Sequence, residues 1–146
     1  SCEQILRYLN RISGPFLDRI DLQVDVPKLP SNDFSEQVKS RGESSQVVRD
    51  RVIQAHLLQL KRCGKTNAQL GSKEVEKYCK LEKAEQLFLQ QAVEKLGLSL
   101  RTYHRVLKVA RTIADLAHSL DINRQHLAEA LNYRAFDRML AQLTNN

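Results

Sequence analysis
Between Ser99 and Ala117 the apolar side chains return at three- and four-residue steps: Leu100, Tyr103, Val106, Leu107, Ala110, Ile113, Ala114 and Ala117. This is the period of a helix with one face turned to a core. The Ser99 hydroxyl supplies the acceptor that the first free N–H groups of such a helix need. An amphipathic helix cannot bury its stripe alone, so the chain must provide partners, and the same kind of reading finds them. Residues 44–62 form a long helix, capped by Ser44 or Ser45 and ended by Gly64. Ser72 caps a short helix running through Tyr78. Residues 82–96 form another, with Leu87, Phe88, Ala92, Val93 and Leu96 at core spacing and Gly97 as its stop. Asn123 starts a helix to about Leu131, and a last one covers residues 134–143 before a fraying tail. No strand pattern occurs after residue 42. The fold class is mainly α, a bundle of about five helices.

The N-terminal part reads differently. Residues 4–12 form a short helix broken by Gly14 and Pro15. Residues 21–26 then alternate, with Leu22, Val24 and Val26 apolar and Asp21, Gln23 and Asp25 polar, the pattern of a short strand. Pro27 and Pro30 end it, because proline cannot donate to a sheet ladder. A single strand has no sheet to join, so it reads as a remnant of a larger unit. The absence of an initiator Met at Ser1 points the same way. Residues 31–43 are polar and read as a linker, with one helical turn at residues 34–38. The expected division is residues 1–30, the end of another domain; 31–43, a linker; and 44–146, the helical bundle. With 146 residues and 42% hydrophobic content, one modest core is within reach. No apolar run approaches the ~20 residues a membrane helix needs, and no signal pattern opens the chain. The expected location is cytoplasmic.

Cys2, Cys63 and Cys79 form no CxxC pair, so neither a disulfide framework nor a zinc site is legible, and reduced thiols are expected. His56, His104, His118 and His126 lie far apart, without HExxH spacing, and no metal site is expected. Neither Cys63 nor Cys79 lies in a nucleophile motif. Gly64, Lys65 and Thr66 look like the end of a phosphate-binding loop. Gln59 stands where that loop needs a glycine, and a long helix precedes it where a strand should. The segment therefore reads as a plain loop, and the chain by itself is expected neither to cradle a nucleoside triphosphate nor to hydrolyse one. The helix opened by Ser99 does carry a basic stripe: Arg101, Arg105, Lys108 and Thr112 share a face. That face is either solvated or turned to phosphate. Arginine suits the second use, being always charged and able to donate two parallel bonds, and Arg101 lies in the first turn, where the helix dipole favours anions. The net charge of +6 is compatible with a polyanionic partner. Residues 82–96, the turn at Gly97 and the basic helix also admit a helix-turn-helix reading as an independent DNA-binding module.

Several stretches together resemble the magnesium-chelatase-like, ComM-type AAA+ ATPases. They are residues 11–27 (RISGPFLDRIDLQVDVP), 41–45 (RGESS), 67–70 (NAQL), 97–116 (GLSLRTYHRVLKVARTIADL) and 126–134 (HLAEALNYR). They cover nearly the whole chain in the family's order. The resemblance implies that the bundle is the C-terminal helical lid of an ATPase, and that the orphan helix and strand end its α/β core. It further implies rings, usually hexamers, with each nucleotide site at a subunit junction. Residues 17–21 (LDRID) are similar to the segment that carries the arginine finger of such ATPases. Arg19 is the implied finger, acting in trans, with Arg11 a weaker second candidate; Ile20 departs from the Phe of the wider pattern. Arg101 matches the lid arginine that contacts the γ-phosphate of ATP, with Arg105 a weaker phosphate contact and Lys108 a weaker contact to DNA or phosphate. Cys2 looks like the last cysteine of a cysteine-rich stretch.

The implied function is the lid of a DNA-remodelling motor of the branch-migration or competence type, with ATP and Mg2+ as cofactors of the full-length protein and none expected on this chain alone. The alternatives are a chelatase-type ATPase subunit and a stand-alone helical DNA-binding or adaptor domain. The implied partners are further copies of the full-length chain and DNA, with no membrane. The chain alone is expected to be monomeric or weakly associating. For Arg19 the plain alternative is a surface ion pair with Asp18 or Asp21.

Overall fold
A computed structural model describes Phe16, residues 19–26 and residues 42–134. The described elements are α1 (Ser45–Cys63), a 3-10 turn (Asn67–Gln69), α2 (Ser72–Tyr78), α3 (Lys83–Leu96), α4 (Leu100–Leu116) and α5 (Arg124–Asn132). The expected helix over residues 4–12, that over residues 134–143 apart from Arg134, the frayed tail and most of the expected linker lie outside the described residues.

The helix ends follow local chemistry. Ser44 caps α1, its hydroxyl accepting from the Val47 N–H, and Ser99 caps α4 by accepting from the Thr102 N–H at 3.2 Å. Gly64 and Gly97 stop α1 and α3 at φ 74° and 62°, a left-handed conformation that a Cβ would oppose. Asn123 caps α5, accepting from the N–H groups of Gln125 and His126, while His126 Nδ1 accepts from the Asn123 N–H. His126 thus closes a reciprocal cap. One expectation is corrected here. Ser72 is the first residue of α2 rather than its cap; Gly71 holds that position, and its N–H is satisfied by the Glu74 carboxylate reaching back 2.8 Å. Helix α4 closes on His118, whose φ of 53° is unusual for a residue with a side chain; the Ser119 N–H then reaches the Ala114 carbonyl.

The apolar stripe of α4 forms the centre of the bundle. It packs against α5, α1, the 3-10 turn and α2, while α3 packs on α5. Val106, Leu107, Ala110 and Ala114 of α4 are buried together with Leu70, Val75, Cys79, Leu89, Ile122, Leu127, Ala130 and Leu131. Arg124 lies 4.5 Å above the Phe88 ring and ties α5 to α3. The core face of α3 is set slightly differently from its expected spacing: Leu89 is fully buried and Leu87 is 56% exposed. At the start of α4, Leu100 is 73% exposed.

Residues 21–26 are not a strand among the described residues. They make a single parallel bridge, Gln23 to Arg134, with the Gln23 N–H donating to the Tyr133 carbonyl at 2.7 Å. Leu22, Val24 and Val26 are all exposed. The alternation is real in the sequence, but no second strand meets it in the described structure.

A buried polar hub locks the elements together. Asp115, 1% exposed, accepts from Arg62 Nη1 at 3.1 Å and from Arg62 Nη2, from Arg111 Nε at 3.1 Å, and from Asn67 Nδ2 at 2.9 Å. Asn67 also donates to Thr112, and its backbone N–H to Gln59. Arg111 reaches on to the carbonyls of Ser119 and Leu120. The end of α1, the 3-10 turn, α4 and the loop before α5 are therefore pinned at one carboxylate, and the polar groups of the hub satisfy one another as burial requires.

Candidate functional site
Arg101, His104, Arg105 and Lys108 occur at three-, one- and three-residue steps on α4, so their side chains emerge along one face. Opposite them stand the 3-10 turn and the start of α2. Between the two walls lies a cleft of about 450 Å³, lined also by Ala68, Leu70, Ser72, Val75 and Asp21. Asp21 is the one acid among the lining residues.

The three cations differ in how they are held. Arg101 is exposed, and among the described residues its guanidinium has no hydrogen bond or ion pair. Lys108 donates from Nζ to the Ala68 carbonyl at 3.1 Å, and its charge also acts on the Glu74 carboxylate. Arg105 is tied to residues 19–26: its Nη1 donates to the Arg19 carbonyl at 3.0 Å and to the Asp21 carboxylate. Asp21 thus pairs with Arg105 across to α4, while Asp18, the other acid of the plain alternative for Arg19, lies outside the described residues. The Arg19 side chain itself is exposed. Thr112, the fourth residue of the stripe, turns inward, donating to the Lys108 carbonyl and accepting from Asn67. Arg11 and Cys2 lie outside the described residues.

Lys65 pairs with Glu74 of α2 at 2.7 Å. The hydrogen bond holds the Lys65 ammonium above and the Glu74 carboxyl below their ordinary ranges. The loop at residues 64–66, read as no phosphate loop, is occupied by this contact and by the helix stop. Behind the cleft, burial pushes the Cys79 thiol up to about 11, so it stays protonated and unreactive.

Chemically, the arrangement suits a phosphate group: three cations converge on an open cleft with one competing carboxylate. Among the described residues no group of three or more His, Cys, Asp or Glu residues could hold a metal ion. Nor is any described helix long and apolar enough to cross a membrane. His104 and Asp21 are cleft residues that the sequence did not announce. His104 follows Arg101 by three residues on the same face, a signal visible in principle; Asp21 reaches the cleft from 84 residues away, which no local pattern encodes.

Comparison with known proteins gives a consistent lineage. Residues 42–134 match the family described as magnesium chelatase, subunit ChlI C-terminal, and residues 1–34 match magnesium chelatase, subunit ChlI. The chain is 53% identical over 145 residues to competence protein ComM of Haemophilus influenzae, covering 99% of this chain and 28% of that protein. It is 52% identical over 141 residues to the protein YifB of Escherichia coli, covering 97% of this chain and 28% of YifB. A Mycobacterium tuberculosis protein is 35% identical over 132 residues, 88% of this chain and 26% of that protein. The chain spans little more than a quarter of the length of these relatives. With the family match extending over most of the described bundle, the chain belongs to the magnesium chelatase ChlI C-terminal family.

Proposed function
We propose that this chain is the helical lid of a ring-forming AAA+ ATPase, in which the α4 cleft meets the phosphates of bound ATP and couples hydrolysis to movement of the lid. The observation that carries the reading is the gathering of Arg101, Arg105 and Lys108 on one open cleft, with Arg101 uncommitted and the Arg19 backbone lying against Arg105. An arginine left free at the edge of a cleft has its donors available for an arriving phosphate. In the intact protein, Mg2+ would arrive with the nucleotide phosphates and neutralise their charge.

The work performed is assigned to DNA, in a ring of identical subunits. Support comes from the net charge of +6 and from the relative whose name is competence protein. A chelatase-type role is the second reading, favoured by the name of the matching family. The test is ATP hydrolysis by the intact protein, with and without branched DNA, for wild type and Arg19→Ala. The motor reading expects stimulation by DNA and a loss in the variant of about 10³- to 10⁵-fold, the usual worth of a finger arginine, partly restored by mixing in wild-type subunits. Turnover that ignores DNA and survives the substitution would remove both the motor and the finger.

A further inference from the structure
We infer that Arg105 is an exchange residue, held by Asp21 when the cleft is empty and drawn to phosphate when it fills, so that an anion in the cleft loosens the segment carrying Arg19. The inference rests on the reading of the cleft as a phosphate site.

The two contacts that define it come from one nitrogen. Arg105 Nη1 donates both to the Asp21 carboxylate and to the Arg19 carbonyl. Of the three cleft cations, Arg105 is the one in an ion pair among the described residues; Lys108 donates to a carbonyl, and Arg101 has no polar partner among the described residues. The Asp21 side chain is 57% exposed and that of Arg105 24%. Such a pair is held weakly, because water competes with it, and its release costs little. A polyphosphate carries several charges and accepts two parallel guanidinium bonds, so it outcompetes one carboxylate for Arg105. The displaced Asp21 then faces an anion and is repelled, while the Arg19 carbonyl loses its donor. Residues 19–23 would remain attached through Arg134, whose Nη1 donates to the Ile20 carbonyl at 2.6 Å, and through the Gln23 bridge. One side chain thereby joins the lid cleft to the loop that bears the candidate finger, and the coupling must run both ways.

The experiment uses the 146-residue chain and inorganic tripolyphosphate at low ionic strength. Affinity is measured by titration calorimetry, and amide hydrogen exchange by NMR over residues 19–23, for wild type, Asp21→Asn and Arg101→Ala. The expected result has Asp21→Asn binding tripolyphosphate roughly two- to fivefold tighter, the worth of an exposed ion pair, with faster exchange at Arg19 and Asp21 before ligand is added. In wild type, tripolyphosphate should raise exchange at the same amides. If Arg101→Ala weakens binding while Asp21→Asn leaves affinity and exchange as in wild type, the cleft stands and the exchange role of Arg105 is overturned. If tripolyphosphate binds wild type and Arg101→Ala equally, or neither, the phosphate reading falls and takes this inference with it.

Discussion

Arg62 and Asp115, 53 residues apart in sequence, face each other fork to fork, each guanidinium nitrogen on its own carboxylate oxygen. Asp115 is 1% exposed and also receives Arg111 and Asn67. Removing it leaves two partly or wholly buried guanidinium groups without their anion. Asp115→Ala should therefore cost ~3–5 kcal/mol, the usual penalty for breaking a buried pair from one side. Urea denaturation followed by circular dichroism measures it. A loss below about 1 kcal/mol would mean that water replaces the carboxylate and that the hub is not a lock.

The packing of α3 makes a paired prediction. Leu89 is fully buried and Leu87 is 56% exposed, two residues away on the same helix. Leu89→Ala should lower stability by ~2–5 kcal/mol through lost contacts and a residual cavity. Leu87→Ala should stay within about 0.5 kcal/mol, as exposed substitutions usually do. Equal effects in thermal melts would show that α3 is rotated from its described position.

Cys79 predicts an alkaline weakness. Its thiol ionises only at about 11 in the folded chain, because burial disfavours the thiolate, whereas the ordinary value is 9.0. The folded state thus holds the proton more tightly. The stabilisation is complete below the ordinary value and is lost as pH rises from about 9 through about 11. Stability should fall over that window by an amount on the order of 2 kcal/mol, and Cys79→Ala, though less stable overall, should lose that part of the slope. Denaturation midpoints measured from pH 8.5 upward would decide it.

Arg101 predicts a separation of function from fold. Its side chain is exposed and commits to no partner among the described residues. Arg101→Ala should leave the stability of this chain within about 0.5 kcal/mol of wild type. In the intact protein it should reduce ATP turnover at least about tenfold, the loss expected when a charge-assisted hydrogen bond worth ~1.5–3 kcal/mol is removed. Unchanged turnover would take Arg101 out of the site.

Much of the bundle is legible from single residues whose chemistry is local. Gly64 and Gly97 mark helix ends because only the left-handed region fits there; Ser99 and Asn123 mark starts because their side chains reach N–H groups two or three residues on. Where the same job falls to another residue type, the sequence is silent: His118 takes the left-handed turn usually given to glycine, and Glu74 caps from inside its own helix. The hub was hidden for a different reason. Asp115 and Arg111 look like an ordinary helical pair, and what buries them is Arg62 and Asn67, brought in by tertiary packing. The basic stripe was visible because helix period alone aligns Arg101, Arg105 and Lys108. Which of the three is restrained was not visible, since Asp21 and the Ala68 carbonyl belong to other elements. The alternation over residues 21–26 misled because period two states a preference for extended backbone and says nothing of a pairing partner.

The bridge between Gln23 and Arg134 acts as a clasp, with consequences for the order of events in folding. The Arg134 guanidinium reaches the Ile20 carbonyl across 114 residues, whereas the helical turns and caps close within a few. Before the bundle forms, closing so long a loop costs more chain entropy than any of these local steps, so the clasp is expected to fasten after the helices. Residues 19–26 are held to the helices by this clasp and by the exposed Arg105–Asp21 pair, so they are the part expected to open before the packed helices do. The molecule is thus built with a seam, where residues 19–26 can part from the helices without the interior melting.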